Sequence, residues 1–198
     1  TPLYSSAASD VYKRQSKKKL KIAFQGMAGA YSNMACEECF PNAKAIPCIS
    51  FENMLETTKS KVADLAMVPI ENSVAGRVAD IHNLIPESGL HIIGEHYQKV
   101  NHQLLALKGA TLKTIKTVKS HSQGLAQCRK LIKQLNIAPV QHIDTAGAAY
   151  ELSKGNDITV AAIASKMAGK IYGLKILKKN IEDAVSYTHL RAHETKAN

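Results

Sequence analysis

Leu65-Ala66-Met67-Val68-Pro69-Ile70-Glu71-Asn72-Ser73 decides how this 198-residue chain is read. The uncharged run from Leu65 to Ile70 is too short for an ordinary helix and the right length for a strand. It shows no polar alternation, as expected of a strand covered on both faces. An acid, an amide and a hydroxyl follow at once. In an open α/β sheet that is where ligands bind, beyond the carboxyl ends of the strands.

Outward from this run, strand and helix patterns alternate with short connections, the signature of an α/β fold. Toward the amino end, Leu20 to Phe24 reads as a buried strand. A turn at Gly26-Met27-Ala28-Gly29 leads into a helix from about Tyr31 to Cys39, and Ala45 to Ile49 forms a further strand. Ser50 is placed to cap a helix carrying Phe51, Met54 and Leu55. Downstream, a helix through Val78, Ile81, Leu84 and Ile85 is expected to stop at Pro86, before strands at Leu90 to Gly94 and Gln103 to Leu107. The stretch His96 to His102 between them reads as a crossover between two lobes. Strand and helix then alternate again: Thr114 to Val118, a helical face of Leu125, Cys128, Leu131, Ile132 and Leu135, Val140 to Ile143, a helix from Thr145 to about Ser153, Val160 to Ala164, and a helix closing on Gly173. Leu174 to Ile181 is expected to return as an extended segment.

The polar residues after these strands form a second pattern: Gly26 to Ser32, Glu71-Asn72-Ser73, Ser120-His121-Ser122-Gln123, Asp144-Thr145 and Ser165. Each can serve as a helix cap, and Ser120 with Gln123 fits a capping box. Gathered at one cleft, their hydroxyls and helix-start N–H groups would suit a small acid, one with two carboxylates included. Glu71 reads either as a proton donor, if desolvated, or as a helix-start charge. His121 reads as an acid or base, or as a structural hydrogen-bonding group. The Gly26-x-x-Gly29 turn lacks the spacing of a dinucleotide or P-loop fingerprint, so close backbone approach is the better explanation.

Composition excludes other classes. The formal charge is +10, but about half of it sits in residues 1–19 and 185–198, and the remaining lysines are scattered, so no nucleic-acid surface is expected. No apolar run is long enough for a membrane span and no secretion signal is recognisable, which leaves the cytoplasm as the expected location. Cys36 and Cys39 form a C-x-x-C inside a helical pattern with no second pair. All four cysteines are therefore expected as buried reduced thiols, without a metal.

In order and spacing, Phe24-Gln25-Gly26 with Gly29-Ala30-Tyr31-Ser32, Val68-Pro69-Ile70-Glu71-Asn72-Ser73 with Gly76, Ser120-His121 through Gln127-Cys128, and Asp144-Thr145-Ala146 with Ala148-Ala149 resemble the motifs of prephenate dehydratases. The resemblance spans about residues 20 to 184. It implies a two-lobed fold like the type II periplasmic binding proteins, with a ligand cleft between lobes, and a homo-oligomeric intact enzyme. It implies conversion of prephenate to phenylpyruvate without a cofactor. By motif it assigns Glu71, Asn72, Ser120, Gln127 and Thr145 to catalysis, and Gly26, Gly29, Ala30, Tyr31, Ser32, Ser73, Gly76 and His121 to substrate binding. Asn72, Ser120 and Thr145 would hold carboxylates, and Glu71 would polarise the region of the leaving hydroxyl. Arogenate is an open alternative to prephenate. A non-catalytic module that binds small carboxylic acids is the competing class, since the same fold serves binding without chemistry.

Residues 1–19 and 185–198 resemble translated sequencing-adapter read-through and are expected to be non-native tails. The expected division is then 20–97 plus 174–184 for the first lobe and 98–173 for the second. Family members continue past a segment like Asn180-Ile181-Glu182-Asp183 into Thr-Arg-Phe, whose threonine has the main part in expelling the hydroxyl. Here Thr188-His189-Leu190 falls near that place without the arginine or the aromatic residue and reads as a coincidence, and the phenylalanine-sensing ACT domain that commonly follows is not expected within these residues. The expectation is a nearly inactive chain. Its first lobe would lack a strand, exchange amide hydrogens faster than the second, and aggregate through an open sheet edge.

Overall fold

A computed structural model describes residues 19–184 and 186–195. Apart from Lys19, the stretch 1–19 expected to be a tail lies outside the described residues. The elements in chain order are β1 (Lys21–Gln25), α1 (Tyr31–Cys39), β2 (Lys44–Cys48), α2 (Phe51–Lys59), β3 (Leu65–Asn72), β4 (Gly76–Arg77), α3 (Ala79–Ser88), β5 (Leu90–Val100), β6 (Gln103–Ala106), β7 (Thr117–Ser120), α4 (Ser122–Gln127), α5 (Arg129–Leu135), β8 (Ala138–Gln141), α6 (Thr145–Lys154), β9 (Val160–Ala164), α7 (Lys166–Ile171), β10 (Lys175–Lys178) and β11 (Ser186–Thr195). The expected α/β alternation is present, in two compact units. Among the described residues, one holds residues 19–25, Ser32–Gln98 and those from Tyr187 onward. The other holds Gly26–Tyr31 and Lys99–Ser186.

In the first unit the sheet order is β2-β1-β3-β11-β5, with β4 paired to β3. Strands β1, β2 and β3 are parallel, and β11 runs antiparallel to β3. Ala66, Val68 and Ile70 join Ala23, Met54, Leu55 and Ile81 in one core, while Leu65 and Met67, pointing to the opposite face, are also buried. The uncharged run is thus covered on both sides. Ser50 Oγ accepts from the Asn53 N–H at 3.2 Å, the cap its sequence position implied. Helix α3 runs through Pro86 to Ser88 instead of stopping. Pro86 supplies no N–H to the ladder, but only Glu87 and Ser88 follow it in the helix, and Gly89 at φ +71° ends the helix in the left-handed conformation. The Lys44 N–H donates to Leu20 O, so alternate groups of β2 face β1 and Pro47 falls at an outward position. An outer strand without that N–H is a poor template for another chain.

The second unit has the order β10-β6-β9-β7-β8. Leu104, Ala106, Ala161 and Ile163 fill the core on one side of the sheet, and Leu105, Ala162 and Ala164 fill that on the other. The single helix read through Leu125 and Leu135 is two helices broken at Cys128. Asp183 satisfies the break: its N–H donates to Gln127 O at 2.6 Å, and its carboxylate accepts the Lys130 N–H at 3.1 Å. Strand β10 pairs antiparallel with β6, and Ile181 N–H bonds His102 O at 3.0 Å. Residues 174–184 therefore belong to the second unit, correcting their assignment to the first. Backbone groups left by β6 and the broken helix claim them. The crossover is also shorter than expected, since β5 extends to Val100.

The largest correction concerns residues 186–195. They form β11, between β3 and β5, where no strand was expected. Leu190 and Ala192 are buried on one face, and His189, Arg191 and His193 alternate on the other. Period 2 is present, but with polar groups on a covered face. Glu95 of β5 reconciles two of them, its carboxylate lying 3.2 Å from His189 Nε2 and 3.1 Å from Arg191 Nε. His189 also stacks on Tyr97, with centroids 4.6 Å apart. The open edge, and with it the faster exchange and aggregation it implied, has no basis in this sheet.

His193 has no such compensation. It is fully buried opposite Ala66, and neither ring nitrogen has a hydrogen-bond partner among the described residues. Burial, reinforced by Arg191, lowers its pKa to about 4. The unfolded chain takes up that proton near pH 6.5 and the folded chain only near pH 4. Stability should therefore be flat above about pH 7 and fall by up to about 3 kcal/mol as the pH drops toward 4. His193→Leu should raise the urea midpoint at neutral pH and flatten this decline. Urea unfolding at several pH values measures both, and an unchanged pH profile in the variant would remove His193 as the cause.

Candidate active site

In the first unit the site residues follow the buried run of β3. Glu71 is exposed and lies on the strand, opposite Arg77 and His189, not at a helix start. Asn72 Oδ1 accepts the N–H groups of Val74 and Ala75, each at 3.0 Å, which closes the turn into β4. Its Nδ2 donates to Thr188 Oγ1 at 3.1 Å. Ser73 fixes the same strand pair: its N–H bonds Tyr187 O and its Oγ accepts the Tyr187 N–H, both at 3.0 Å. Gly76 adopts φ +83° with open space around it, so its requirement is conformational. Thr188, read from the sequence as a coincidence, is therefore a member of this group. Antiparallel register, invisible in a short polar string, is what carries it there.

In the second unit the Gly26–Tyr31 turn packs against α7. Gly29 has φ +89°, and a Cβ there would lie 2.6 Å from Ala168 Cα. Ser165 Oγ caps α7 at the Ala168 N–H (3.0 Å) and donates to Gly29 O at 2.6 Å. Tyr172 Oη donates to Ala28 O at 2.8 Å. Ala30 N–H bonds Met27 O at 3.0 Å, and the Ala30 methyl packs against the core containing Ala168. Tyr31 Oη lies 3.1 Å from Asn101 O and 2.9 Å from His102 Nδ1. Burial pushes the Tyr31 phenol well above its usual pKa, with Cys128 and Glu182 adding to the effect. Ser32, the next residue, is buried at the start of α1 in the first unit.

The remaining candidates lie around α4 and α6. Ser120 is fully buried and donates its hydroxyl hydrogen to Ile163 O at 2.7 Å. In this conformation it offers lone pairs and no proton, which disagrees with a donor role toward a carboxylate. The expected capping box is replaced by His121, whose Nδ1 accepts the Gln123 N–H at 3.3 Å, the structural alternative for that histidine. Gln127 is buried, with Oε1 2.8 Å from His102 Nε2. Thr145 opens α6, its methyl 3.5 Å from where a Gly124 Cβ would stand, and Asp144 caps that helix at the Gly147 N–H. His102 was missed by the sequence reading. It lies inside the stretch taken for a connection, where no periodicity singles out one residue.

Among the described residues no cluster of acids, histidines and cysteines has the arrangement of a metal site, no disulfide joins the cysteines, and Cys36, Cys48 and Cys128 are buried as expected while Cys39 is only partly so. No described helix is long and apolar enough to cross a membrane.

Comparison with known proteins identifies the family. Residues 22–189 match the family model for prephenate dehydratase. The chain is 44% identical over 167 residues to a bifunctional N-acyl-homoserine lactone acylase/prephenate dehydratase of Komagataeibacter europaeus, covering 84% of this chain and 59% of that protein. It is 41% identical over 184 residues to arogenate dehydratase/prephenate dehydratase 1 of Arabidopsis thaliana, covering 93% and 45%. The solved prephenate dehydratase of Arthrobacter aurescens, in complex with L-Phe, superposes with a TM-score of 0.82 at 30% identity, over 90% of this chain and 61% of that one. The chain belongs to the prephenate dehydratase family. It spans roughly half the length of these relatives.

Two substitutions test the local geometry. Gly29→Ala forces a methyl into the Ala168 backbone at a positive φ and should cost about 3 kcal/mol or more. Asn72→Ala removes three side-chain hydrogen bonds and should cost about 1 to 3 kcal/mol. Urea unfolding reads both, and a wild-type midpoint for either variant would contradict the contacts described.

Proposed function

We propose that this chain is the catalytic core of a dehydratase of phenylalanine synthesis, acting on prephenate. The carboxylate on the ring carbon leaves as carbon dioxide, and its bonding pair flows into the ring. The ring C–O bond breaks, and the departing hydroxide takes up a proton to leave as water, giving phenylpyruvate. Aromatisation drives the reaction, so the protein's task is to hold the acid and assist hydroxide departure.

The observation that carries this reading is the Asn72 to Thr188 hydrogen bond beside Glu71. An oxygen that accepts from an amide N–H keeps its own hydrogen for another acceptor, so Asn72 turns Thr188 into a donor. A donor of that kind is what a departing hydroxide needs. Gln127 and Thr145 in the second unit, and the Gly26 to Ser32 segment, supply further polar groups in the family's motifs.

Residues 189 and 190 are His and Leu where the resemblance implies Arg and Phe. His189 is engaged by Glu95 and Tyr97 and does not replace a guanidinium fork. We therefore expect slow turnover. The double variant His189→Arg, Leu190→Phe should raise kcat/KM for prephenate by about tenfold or more. In that background Thr188→Ala should lower kcat on the order of 100-fold. Phenylpyruvate absorbance follows both, with arogenate as the parallel substrate. No conversion of either substrate by the folded double variant would end the dehydratase reading, and an unaffected Thr188→Ala rate would end the role given to Thr188.

A further inference from the structure

A groove of about 520 Å³ lies between α4, α5 and β8, the last of which is the outermost strand of the second sheet. Sites for small organic ligands have volumes of about 300 to 1,000 Å³. None of the residues given above to catalysis or substrate binding lines this one. Leu125, Ile132 and Ile137 do, and they are packed on the core of Leu104, Val118 and Ile163, so the apolar surface is anchored. Pro139 adds a fourth apolar group, and no aromatic ring is among the lining residues.

Arg129 and Lys133 stand four positions apart, and therefore on one face of α5, at the same groove. Both are exposed, and neither forms an ion pair among the described residues. No acid lines the groove. The acids of adjoining elements are committed elsewhere, Asp183 to the Lys130 N–H and Glu151 to Lys119 and His142. Addition of a further strand is a poor use of this place. The Ala138 N–H bonds Lys116 O and the His142 N–H bonds Ser120 O, so alternate residues of β8 face β7 and Pro139 falls at an outward position. As in β2, an outer strand without that N–H is blunted. What remains for a ligand is an aliphatic floor beside two cations.

We propose that this groove is a second ligand site, one for an amphipathic anion with an aliphatic body and a single acidic head. The Arg129 guanidinium has the forked donors that match an acid's two oxygens, and Lys133 adds a second charge on the same helix face. The aliphatic body lies over Leu125, Ile132, Ile137 and Pro139, where it leaves water. The site does not depend on the dehydratase reading.

Octanoate is the probe, ionised at neutral pH and titrated into the unaltered chain while NMR follows the backbone amides. Saturable shifts are expected in α4, α5 and β8, with a Kd on the order of 1 mM or tighter. Butanoate, which keeps the head and shortens the body, should bind about tenfold more weakly or worse, and so should octanol, which keeps the body and loses the charge. The double variant Arg129→Gln, Lys133→Gln should lose about tenfold in octanoate affinity. Butanoate or inorganic phosphate binding as tightly as octanoate would reduce the groove to a basic patch and overturn the proposal. Octanol binding as tightly, or an unaffected double variant, would reduce it to an apolar surface and overturn it equally. Octanoate shifts confined to other elements, or none at all, would do the same. Shifts in α4, α5 and β8 that follow protein concentration without octanoate would mark a second copy as the occupant and end the small-ligand reading. If the double variant does not fold, the butanoate and octanol titrations decide.

Discussion

Backbone pairing between Leu65–Asn72 and Ser186–Thr195 is the constraint on which the first unit depends. Without it, the sheet order would leave the far side of β3 unpaired and detach β5. A buried N–H or C=O without a partner costs about 1 to 3 kcal/mol, and the register pairs six residues of β11 with β3. Burying one histidine with neither ring nitrogen partnered costs on the order of two such groups. The ladder outweighs the side chain, which is how a string containing His189, Arg191 and His193 comes to lie in a sheet interior. The irregularity between His189 and Leu190 completes the fit: it lets Thr188 and His189 face Asn72 and Glu71, while Leu190 and Ala192 stay on an apolar face.

The second unit meets a different constraint, closeness. Its central strand is Val160-Ala161-Ala162-Ile163-Ala164, and α6 opens Thr145-Ala146-Gly147-Ala148-Ala149. Small side chains let helices approach the sheet until there is no room for more: a Cβ at Gly169 would stand 2.9 Å from Leu105 Cδ2, and one at Gly124 would stand 2.7 Å from Ser120 Oγ. At that distance the hydroxyl of Ser120 reaches the Ile163 carbonyl, and that of Ser165 reaches Gly29. Residues that read as caps in the sequence thus become struts between elements.

What was legible in the sequence followed from periodicity and from caps. The Leu65 to Ile70 run, the helix beginning at Tyr31, the Ser50 cap and the strand Val160 to Ala164 each depend on neighbours in the chain, and local physics determines them. The misplaced features depend on partners far away. Residues 174–184 were claimed by β6 and by a helix break that Asp183 fills. Residues 186–195 were claimed by the open side of β3. His102 has its ring partners in Tyr31 and Gln127, 71 and 25 positions away. No window along the chain contains such partners. The motifs did locate the candidate residues, because they mark the ends of strands, but they did not say which hydroxyl has a proton to give.

That last question is one of donor sense, and in the first unit a side-chain amide answers it. Asn72 spends its oxygen on the turn and its amide hydrogen on Thr188, which leaves Thr188 to donate. Ser120 shows the opposite outcome, its hydrogen committed to Ile163 O. An anionic substrate selects donors, and a bare hydroxyl or carboxamide can present either sense. An internal partner that fixes the sense removes the wrong orientation before the ligand arrives, so that binding does not have to supply the reorganisation. By that criterion the Thr188 hydroxyl keeps its hydrogen to give, and Ser120 is part of the frame that holds β7 to β9.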